Sequence, residues 1–429
     1  MAEITECNGD EITLQVKVKL TGSLMEMEES IQSAVNEMGV TATQEALKKF
    51  DTTGAPIQFG DIRMTSKGQV TKRYETPFGS VDLSRYVYQT STGGKTYCPL
   101  DESARIITSS TPRFAKIITH KYARGSAREV SEDLAMNHGR SAARSFLQNI
   151  VNIVGGIAQA TEETWEYAIP AQDEVVNTVS ISLDGTCILM RKEGYREAMA
   201  GTISLYNSAG DRLYSIYLGA SPEYGKEKFL AKLEKEIFAV RLQYPEATYV
   251  GIADGAKINW EFLNLHTSHQ ILDFYHATEY LANAARAVHP GKYSYPQQKA
   301  WLGDACHRLK HDKDAADDLL EEMSSISTEN LSADVFDKLK ASITYFKNQK
   351  HRMDYNLYRE KHFPIGSGVT EAACKTLVKQ RLCQSGMKWG EKGARLVLSL
   401  RALVCTASRF EQFWDRINSV GLSGLGTIH

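Results

Sequence analysis

The pattern that most constrains the fold lies between residues 174 and 254. Apolar and polar residues alternate along VNTVSISLDGTCILM (176–190), which predicts a strand that carries Asp184. Two more strand-like runs, joined by a turn at 208–211, follow in GTISLYNSAGDRLYSIYLGA. An amphipathic helix then ends at Pro245, and the short apolar run of ATYVGIADGA predicts a buried strand that ends in Asp254. The predicted order is therefore strand, strand, strand, helix, strand, with a carboxylate in the first strand and another at the end of the fourth.

Before this region, the residue pattern changes from helical to β-like and back to helical. Residues 23–50 carry a helical pattern, and residues 56–100 consist of short β-like runs bounded by Gly, Pro and Ser, which predict small antiparallel strands. From residue 101 the pattern is helical again. The segments EVSEDLAMNHG and RSAARSFLQNIVNIVGGIAQA predict either the second and third helices of a helix-turn-helix or part of a plain helical bundle.

The chain after this region is mainly helical. Charge-rich helical segments, such as WLGDACHRLKHDKDAADDLLEEM, extend to about residue 360 and predict an all-helical insertion. A turn of small residues, PIGSG, then precedes a final helix that begins near Thr370 and carries Glu371 in its first turn.

Composition bounds the class of protein. With 429 residues, 42% hydrophobic and 24% charged, the chain is expected to be a soluble globular protein of two or three domains. No apolar run approaches the roughly 18 residues of a membrane span, and the acidic N-terminus lacks the order of a secretory signal. The seven cysteines are widely spaced without a CxxC pair, which indicates free thiols in a reducing cytoplasm.

Charge is segregated along the chain although the net charge is only −2. Residues 1–50 have 4 Lys/Arg against 9 Asp/Glu, a net charge of −5. Residues 51–150 have 14 against 9, and residues 361–429 have 10 against 4, giving +5 and +6. Two basic regions are typical either of solvated surface faces or of a polyanion that is bound by two parts of the chain.

Asp184, Asp254 and Glu371 are the candidates for chemistry. Alone, each has an ordinary interpretation, since an Asp before Gly at a strand end is often a turn residue. Glu371 could simply complement the helix dipole or pair with Lys375, which contributes about 0.3–0.5 kcal/mol when such a pair is exposed.

Together, three carboxylates at a partly buried sheet edge would repel one another and raise each other's pKa. Mg²⁺ or Mn²⁺ would remove that repulsion, and two such ions suit phosphoryl transfer on a phosphodiester. The cations that follow Glu371 would then neutralise phosphates. The candidate DNA-binding residues in this segment are Lys375, Lys379, Arg381, Lys388 and Trp389.

Several long motifs in a fixed order resemble the transposases of ISKra-type bacterial insertion sequences. These motifs are SLDGTCILM, GYREAMAGTISLYNSAGDRLYSIYLGASPEYGKEKFL, IADGAKINWEFL, LDFYHATEYL and PIGSGVTEAACKTLVKQRLCQSGMKW, with GGKTYCPLDESARIITSSTPRFAKI and NHGRS upstream. The resemblance covers residues from about 60 to 415. It implies a DDE transposase with an RNase H-like catalytic domain, whose strand order is the one predicted above, and a helical insertion between the second and third acids.

The resemblance also implies the site and the partners. Asp184, Asp254 and Glu371 are the implied catalytic and metal-binding triad, with two Mg²⁺ or Mn²⁺ ions as cofactors. Asp273 in LDFYH is an alternative second acid; otherwise Asp273 and His276 would support the site. The implied partners are the terminal inverted repeats of the transposon, the target DNA and further copies of the chain, in a dimer or larger assembly. The implied location is the bacterial cytoplasm, at the nucleoid when bound to DNA.

The combined predictions divide the chain into six segments. These are an acidic N-terminal helical segment (1–55), a small β-rich module (56–100), a helical, helix-turn-helix-like DNA-binding region (101–170), the first part of the RNase H-like core (171–280), the helical insertion (281–360) and the final core helices with the third acid (361–429).

Four alternatives remain open from the sequence. The spacing of His266, His269, Asp273 and His276 would also suit a zinc site if three or four of them converged. Trp389 either stacks on an unpaired base or packs the final helices. The whole chain is either an active transposase or a catalytically silent DNA-binding protein derived from one. A structure-selective nuclease of the same fold, which cleaves without joining strands, is the third functional class.

Overall fold

A computed structural model describes residues 2–59, 62–291, 294–329 and 331–421. The chain forms two compact units. The first comprises Met1–Tyr167, Ser399–Val404 and Ser408–His429, and the second Ala168–Leu398 and Cys405–Ala407. The predicted mixed α/β class is confirmed, because the structure combines a mixed sheet with many helices. Residues 422–429 of the predicted final segment lie outside the described residues.

The first unit begins with strands and one long helix. Strands β1 (Glu3–Asn8) and β2 (Glu11–Gln15) form an antiparallel hairpin. Helix α1 (Leu24–Lys48) begins at Ser23, whose hydroxyl accepts the Glu26 N–H while the Glu26 carboxylate accepts the Ser23 N–H. A four-stranded antiparallel sheet follows, with strands β3 (Ile57–Phe59), β4 (Ile62–Glu75), β5 (Ser80–Thr90) and β6 (Gly93–Tyr97) in that order.

The remainder of the first unit is helical. Its helices are α2 (Pro99–Ser103), α3 (Pro112–Arg124), α4 (Ala127–His138) and α5 (Arg144–Thr161). Helices α4 and α5 occupy the two positions predicted for a helix-turn-helix. The buried residues of α5, from Leu147 to Thr161, recur at three- and four-residue intervals and therefore pack one face of the helix into the unit.

The second unit is built on a five-stranded sheet with the order β11-β10-β7-β8-β9. Its strands are β7 (Thr178–Met190), β8 (Gly194–Tyr206), β9 (Arg212–Ala220), β10 (Thr248–Ala253) and β11 (His269–Leu272). Strands β7, β8 and β9 are antiparallel neighbours, whereas β10 and β11 run parallel to β7. The carboxyl end of β10 therefore lies beside the middle of β7, and the carboxyl end of β11 lies next to that of β10 on its other side.

Helices connect and cover these strands. They are α6 (Lys226–Gln243), α7 (Lys257–His266) and α8 (Phe274–Val288). Helix α6 buries Phe229, Leu233, Ile237 and Val240 at helical intervals. Gly201 of β8 permits this packing, because a Cβ there would lie 2.9 Å from the Phe229 ring.

The predicted insertion is helical throughout its described elements. These are α9 (Tyr295–His311), α10 (Ala315–Ser324), α11 (Ala333–Gln349) and α12 (Tyr355–Glu360). Leu309, Leu319 and Phe346 join the same buried cluster as the sheet residues, so the insertion shares the core of the second unit.

The C-terminal helices begin with a short irregular segment. Helix α13 (Gly368–Ala373) continues as a π-helical turn over Cys374–Lys379 and then as α14 (Gln380–Leu382). The last two helices are α15 (Glu391–Cys405) and α16 (Arg409–Val420). Among the described residues, no helix has the length and apolar character needed to cross a membrane.

Candidate active site

Asp184 lies in the middle of β7, opposite Ala200 of β8. Its Oδ1 atom accepts the Gly185 N–H at 2.7 Å, and its Oδ2 atom accepts the Cys374 thiol at 3.5 Å. Burial raises the pKa of the Asp184 carboxyl, and the negative charge of Asp254 raises this pKa further. The strand therefore holds an ionisable group in a place where its charged form is disfavoured.

Asp254 follows directly after β10 and is half-buried. Its Oδ1 atom accepts the Ala256 N–H at 3.2 Å, which is an Asx-type turn within the loop. Its backbone carbonyl accepts a hydrogen bond of 2.7 Å from the Tyr345 hydroxyl. Because β10 pairs in parallel with the first half of β7, Asp254 lies just past the end of β10, near the middle of β7 that carries Asp184. The repulsion between the two charges follows from that placement.

Glu371 lies in the first turn of α13 and is the most exposed of the predicted triad. Partial desolvation raises the pKa of its carboxyl, as do the negative charges of Asp273 and Asp184, whereas His276 lowers this pKa. In the described part of the chain, no ion pair joins Glu371 to Lys375, so the simple i, i+4 pair considered from the sequence does not form.

Asp273 is completely buried at the end of β11 and caps the N-terminus of α8. Its Oδ1 atom accepts the Tyr275 N–H at 2.8 Å, and its Oδ2 atom accepts the Ser367 hydroxyl. Ligand atoms of Asp273, His276 and Glu371 all lie within 4.8 Å of one another. The alternative second acid and its neighbouring histidine therefore belong to the same site as Glu371.

The PIGSG turn explains how Glu371 reaches this site. The Phe274 N–H donates to the Ile365 carbonyl at 3.0 Å, next to the Ser367–Asp273 hydrogen bond. A Cβ at Gly366 would lie 3.1 Å from the Tyr275 ring, so the glycine lets the turn and the start of α8 approach closely without displacing that ring. The turn is thus fastened to the start of α8, and the next helix begins with Glu371 facing the acids.

The predicted DNA-contacting cations do not share one environment. Lys375, Lys379 and Lys388 are exposed along the segment that follows Glu371. Arg381, in contrast, is 1% exposed, and its guanidinium lies 5.2 Å from the centre of the Trp389 ring. The prediction that Arg381 neutralises a phosphate does not fit this burial, because its charge is enclosed beneath an aromatic ring and beside Met387.

Trp389 is held by its backbone and by its ring. Its N–H donates to the Leu189 carbonyl, and its carbonyl accepts the Arg191 N–H, both at 2.9 Å. The indole N–H donates to the Leu382 carbonyl at 2.8 Å. Among the two interpretations of Trp389, these contacts support packing of the final segment against β7.

The zinc interpretation lacks convergent ligands. His266 is buried against Phe262, with 4.6 Å between ring centres, on helix α7. Within the described ranges, no group of three metal-ligating side chains includes His266 or His269. Only Asp273 and His276 of the proposed set lie together, and they lie with Glu371.

Three residues that contact the acids were not singled out from the sequence. Ser367 binds Asp273, Cys374 binds Asp184, and Tyr345 binds the Asp254 backbone. The turn of small residues was a signal for Ser367, and Cys374 follows Glu371 by one helical turn. Tyr345 lies in the helical insertion, where nothing in its local sequence indicates a contact with a distant loop.

The assembled site is a cluster of like charges with oxygen ligands. Asp184, Asp254, Asp273 and Glu371 come from four separate segments and are close enough for their charges to interact. Carboxylate oxygens are the ligands that Mg²⁺ and Mn²⁺ prefer, and a bound cation would remove the repulsion. In comparisons with known proteins, no protein-family model and no curated protein matches this chain.

Proposed function

We propose that this chain is a metal-dependent DNA transposase of the DDE class with an RNase H-like catalytic domain. The observation that carries the proposal is the proximity of acids from separate segments. The charge of Asp184 on β7 interacts with those of Asp254, after β10, and Glu371 on α13. Ligand atoms of Asp273, His276 and Glu371 lie within 4.8 Å of one another beside them. The order of three antiparallel strands, a helix and a parallel strand supports the RNase H-like assignment. The motifs that resemble ISKra-type transposases supply the reaction class.

The residues of the cluster fit two divalent cations. Asp184, Asp254 and Glu371 would hold Mg²⁺ or Mn²⁺, and Asp273 and His276 would support them. When bound, such ions supply Lewis-acid activation of a nucleophile and stabilise the leaving oxygen of a phosphodiester. The pKa values of Asp184 and Glu371 are raised first by burial and then by neighbouring acids. Both causes favour this assignment, because a bound cation would stabilise the charged carboxylates.

The protein's own groups would position the DNA. Lys375, Lys379 and Lys388 are exposed after Glu371, and each could neutralise a backbone phosphate. In the proposed reaction, hydrolysis of one phosphodiester at a transposon end frees a 3′-hydroxyl, which then attacks a phosphodiester of the target DNA. The same carboxylates serve both steps, and joining two ends implies a dimer or larger assembly on DNA.

The test is a cleavage and strand-transfer assay on DNA that carries the element's own ends, with Mg²⁺ or Mn²⁺. We expect Asp184→Asn, Asp254→Asn and Glu371→Gln to abolish both steps while end binding is retained. Glu246→Gln is a matched control, because Glu246 is an exposed acid in the turn before β10 and lies outside the three-ligand group. Its activity should stay near that of the wild type.

Two other results would replace the proposal. A wild-type chain that binds ends but cleaves nothing with either metal would be a catalytically silent DNA-binding protein. Cleavage that ignores the end sequence and never joins strands would indicate a structure-selective nuclease. Full activity of Glu371→Gln would remove Glu371 from the triad.

A further inference from the structure

The last turns of α11, in the helical insertion, cover the loop that carries Asp254. The Tyr345 hydroxyl donates to the Asp254 carbonyl at 2.7 Å, and Gln349 Nε2 makes a longer contact of 3.5 Å with the Gly255 carbonyl. Gly255 has a φ of +115°, and a Cβ there would lie 3.2 Å from the Tyr345 ring. The loop is therefore shaped for close contact with Tyr345.

Tyr345 is itself held in place from the opposite side. Its ring stacks on that of Tyr280 of α8, with 3.7 Å between the ring centres and 12° between the ring planes. Ser342, which is fully buried one turn earlier on α11, donates to the Tyr280 carbonyl at 2.9 Å. The hydroxyl that contacts Asp254 is thus fixed relative to α8, the helix that begins after Asp273 and carries His276.

A second contact joins the insertion to the helix that follows this loop. Arg352, just beyond α11, donates to Gln349 Oε1 at 2.8 Å. Its guanidinium also lies 4.3 Å from the centre of the Trp260 ring, on the helix that follows the loop. Side chains in and just after α11 therefore contact both the loop, at Asp254, and the first turn of the helix that follows it, at Trp260.

We propose that Tyr345 is a positioning residue for metal binding by Asp254, through which the helical insertion acts on the active site. The inference rests on the proposed function, because it assumes that Asp254 holds a divalent cation. The Asp254 carboxylate is oriented by its bond from the Ala256 N–H, so its direction follows the backbone of the loop. Tyr345 fixes that backbone at the carbonyl of the same residue and does not contact the carboxylate.

The energetic argument follows from this indirect contact. Without the hydroxyl, the Asp254 peptide can rotate, and the carboxylate must be ordered when the cation binds. Removing a residue that orients a metal ligand typically weakens metal binding about 10- to 100-fold. The rings of Tyr345 and Tyr280 would still stack in a phenylalanine variant, so the fold of the insertion should persist.

The experiment compares Tyr345→Phe with Tyr280→Phe in the full-length, DNA-free protein. Both changes keep the stacked rings, but only the Tyr345 hydroxyl bonds to the Asp254 loop in the described structure. Mn²⁺ binding is measured by titration calorimetry, and the melting temperature is recorded without metal. We expect Tyr345→Phe to weaken Mn²⁺ binding about 10-fold or more, with Tyr280→Phe near the wild type.

Two further variants keep the outcomes distinct. Gly255→Ala pushes on the Tyr345 ring from the loop side and should weaken Mn²⁺ binding in the same direction. Asp254→Asn reports whether Asp254 holds the metal at all. Unchanged Mn²⁺ binding in Tyr345→Phe, with weakened binding in Asp254→Asn, overturns only the role of Tyr345. A wild-type chain that binds no Mn²⁺, or an Asp254→Asn variant that binds it normally, overturns the proposed metal site as well.

Discussion

The ends of β10 and β11 offer a direct comparison, because these parallel neighbours are each followed by an aspartate. Asp254, after β10, is half-buried and its carboxylate accepts a single hydrogen bond, from the Ala256 N–H. Asp273, after β11, is completely buried and accepts hydrogen bonds on both oxygens. Asp254 and Asp273 follow parallel strands in the same way, but their carboxylates differ in how many hydrogen bonds they accept from the protein.

This difference separates a chemical role from a structural one. A carboxylate offers about four acceptor positions, and those that bind backbone or hydroxyl donors are less available to a cation. Asp273 stabilises the start of α8 and fastens the Ser367 turn, whereas Asp254 leaves one oxygen without a donor in the described structure. Asp254 therefore keeps more acceptor capacity for a cation, whereas Asp273 is the acid whose ligand atom lies within 4.8 Å of those of His276 and Glu371. The proposal assigns the second-acid role to Asp254 on the first of these observations.

The largest expected effect is on catalysis. Asp254→Asn should lower the cleavage rate on the order of 10²–10³-fold or more, because it removes a carboxylate that would hold the cation at the reacting phosphodiester. Asp273→Asn should lower the rate less, about 10-fold, by disturbing its neighbours. Single-turnover cleavage with Mn²⁺ compares the two variants directly. The reverse order would make Asp273 the second acid and leave the proposed mechanism otherwise intact.

Stability should show the opposite ranking. Asp273→Ala removes the cap of α8 and leaves buried donors without an acceptor, which should lower the free energy of unfolding by about 1–3 kcal/mol. Asp254→Ala should change it by less than about 0.5 kcal/mol, as for an ordinary loop substitution. Urea denaturation of the metal-free proteins measures both. Equal losses in the two variants would contradict the structural role assigned to Asp273.

A smaller effect is expected from the hydroxyl that binds Asp273. Ser367→Ala should lower the free energy of unfolding by about 1 kcal/mol, since it removes one hydrogen bond from a buried carboxylate. Ser385→Ala, at an exposed position of the final segment, is the matched control and should be neutral. A Ser367→Ala variant as stable as this control would show that the PIGSG turn is held to α8 by the backbone hydrogen bond from Phe274 to Ile365 and not by the Ser367 hydroxyl.

The pH dependence of stability gives the subtlest test. The raised pKa of Asp184 means that its charged form is disfavoured only in the folded state. Its contribution therefore destabilises the metal-free fold above the raised pKa and disappears as pH falls towards the ordinary value of 3.8. Asp184→Asn should be more stable than the wild type at neutral pH, with an advantage that shrinks on acidification. Thermal melts across this range should converge; parallel curves would contradict the prediction.

The elements around the site follow from local sequence to different degrees. The strands β7 to β10 and the turn at 208–211 match the predicted order, because alternation and turn residues report local structure directly. Alternation in β7 understates its burial, since residues on both of its faces are covered. The hairpin of β1 and β2 was not predicted, although EITLQ of β2 alternates polar and apolar residues and places Ile12 and Leu14 on its less exposed side.

The site itself was only partly predictable. Asp184, Asp254 and Glu371 could be named as candidates from local sequence. Asp184 and Asp254 each precede a glycine within or after a predicted strand, and Glu371 follows the PIGSG turn at the start of a predicted helix. The burial of Arg381 and the bond from Tyr345 depend on contacts between segments that are distant in the chain, which residue types and spacing do not encode. The same limit applies to Asp254 and Asp273, whose surroundings differ although their local sequences are similar in kind.

The contact between Trp389 and β7 also has a consequence for solubility. Beyond Ser182, β7 is no longer paired with β10, and the backbone of its outer half would face outwards on that side. On that side, the Trp389 backbone N–H donates to the Leu189 carbonyl, and the Trp389 carbonyl accepts the Arg191 N–H. An uncovered strand edge is a template for pairing with another chain. The segment from Ser385 to Trp389 therefore protects the strand that carries Asp184 from intermolecular β-pairing, and loss of this segment would favour aggregation.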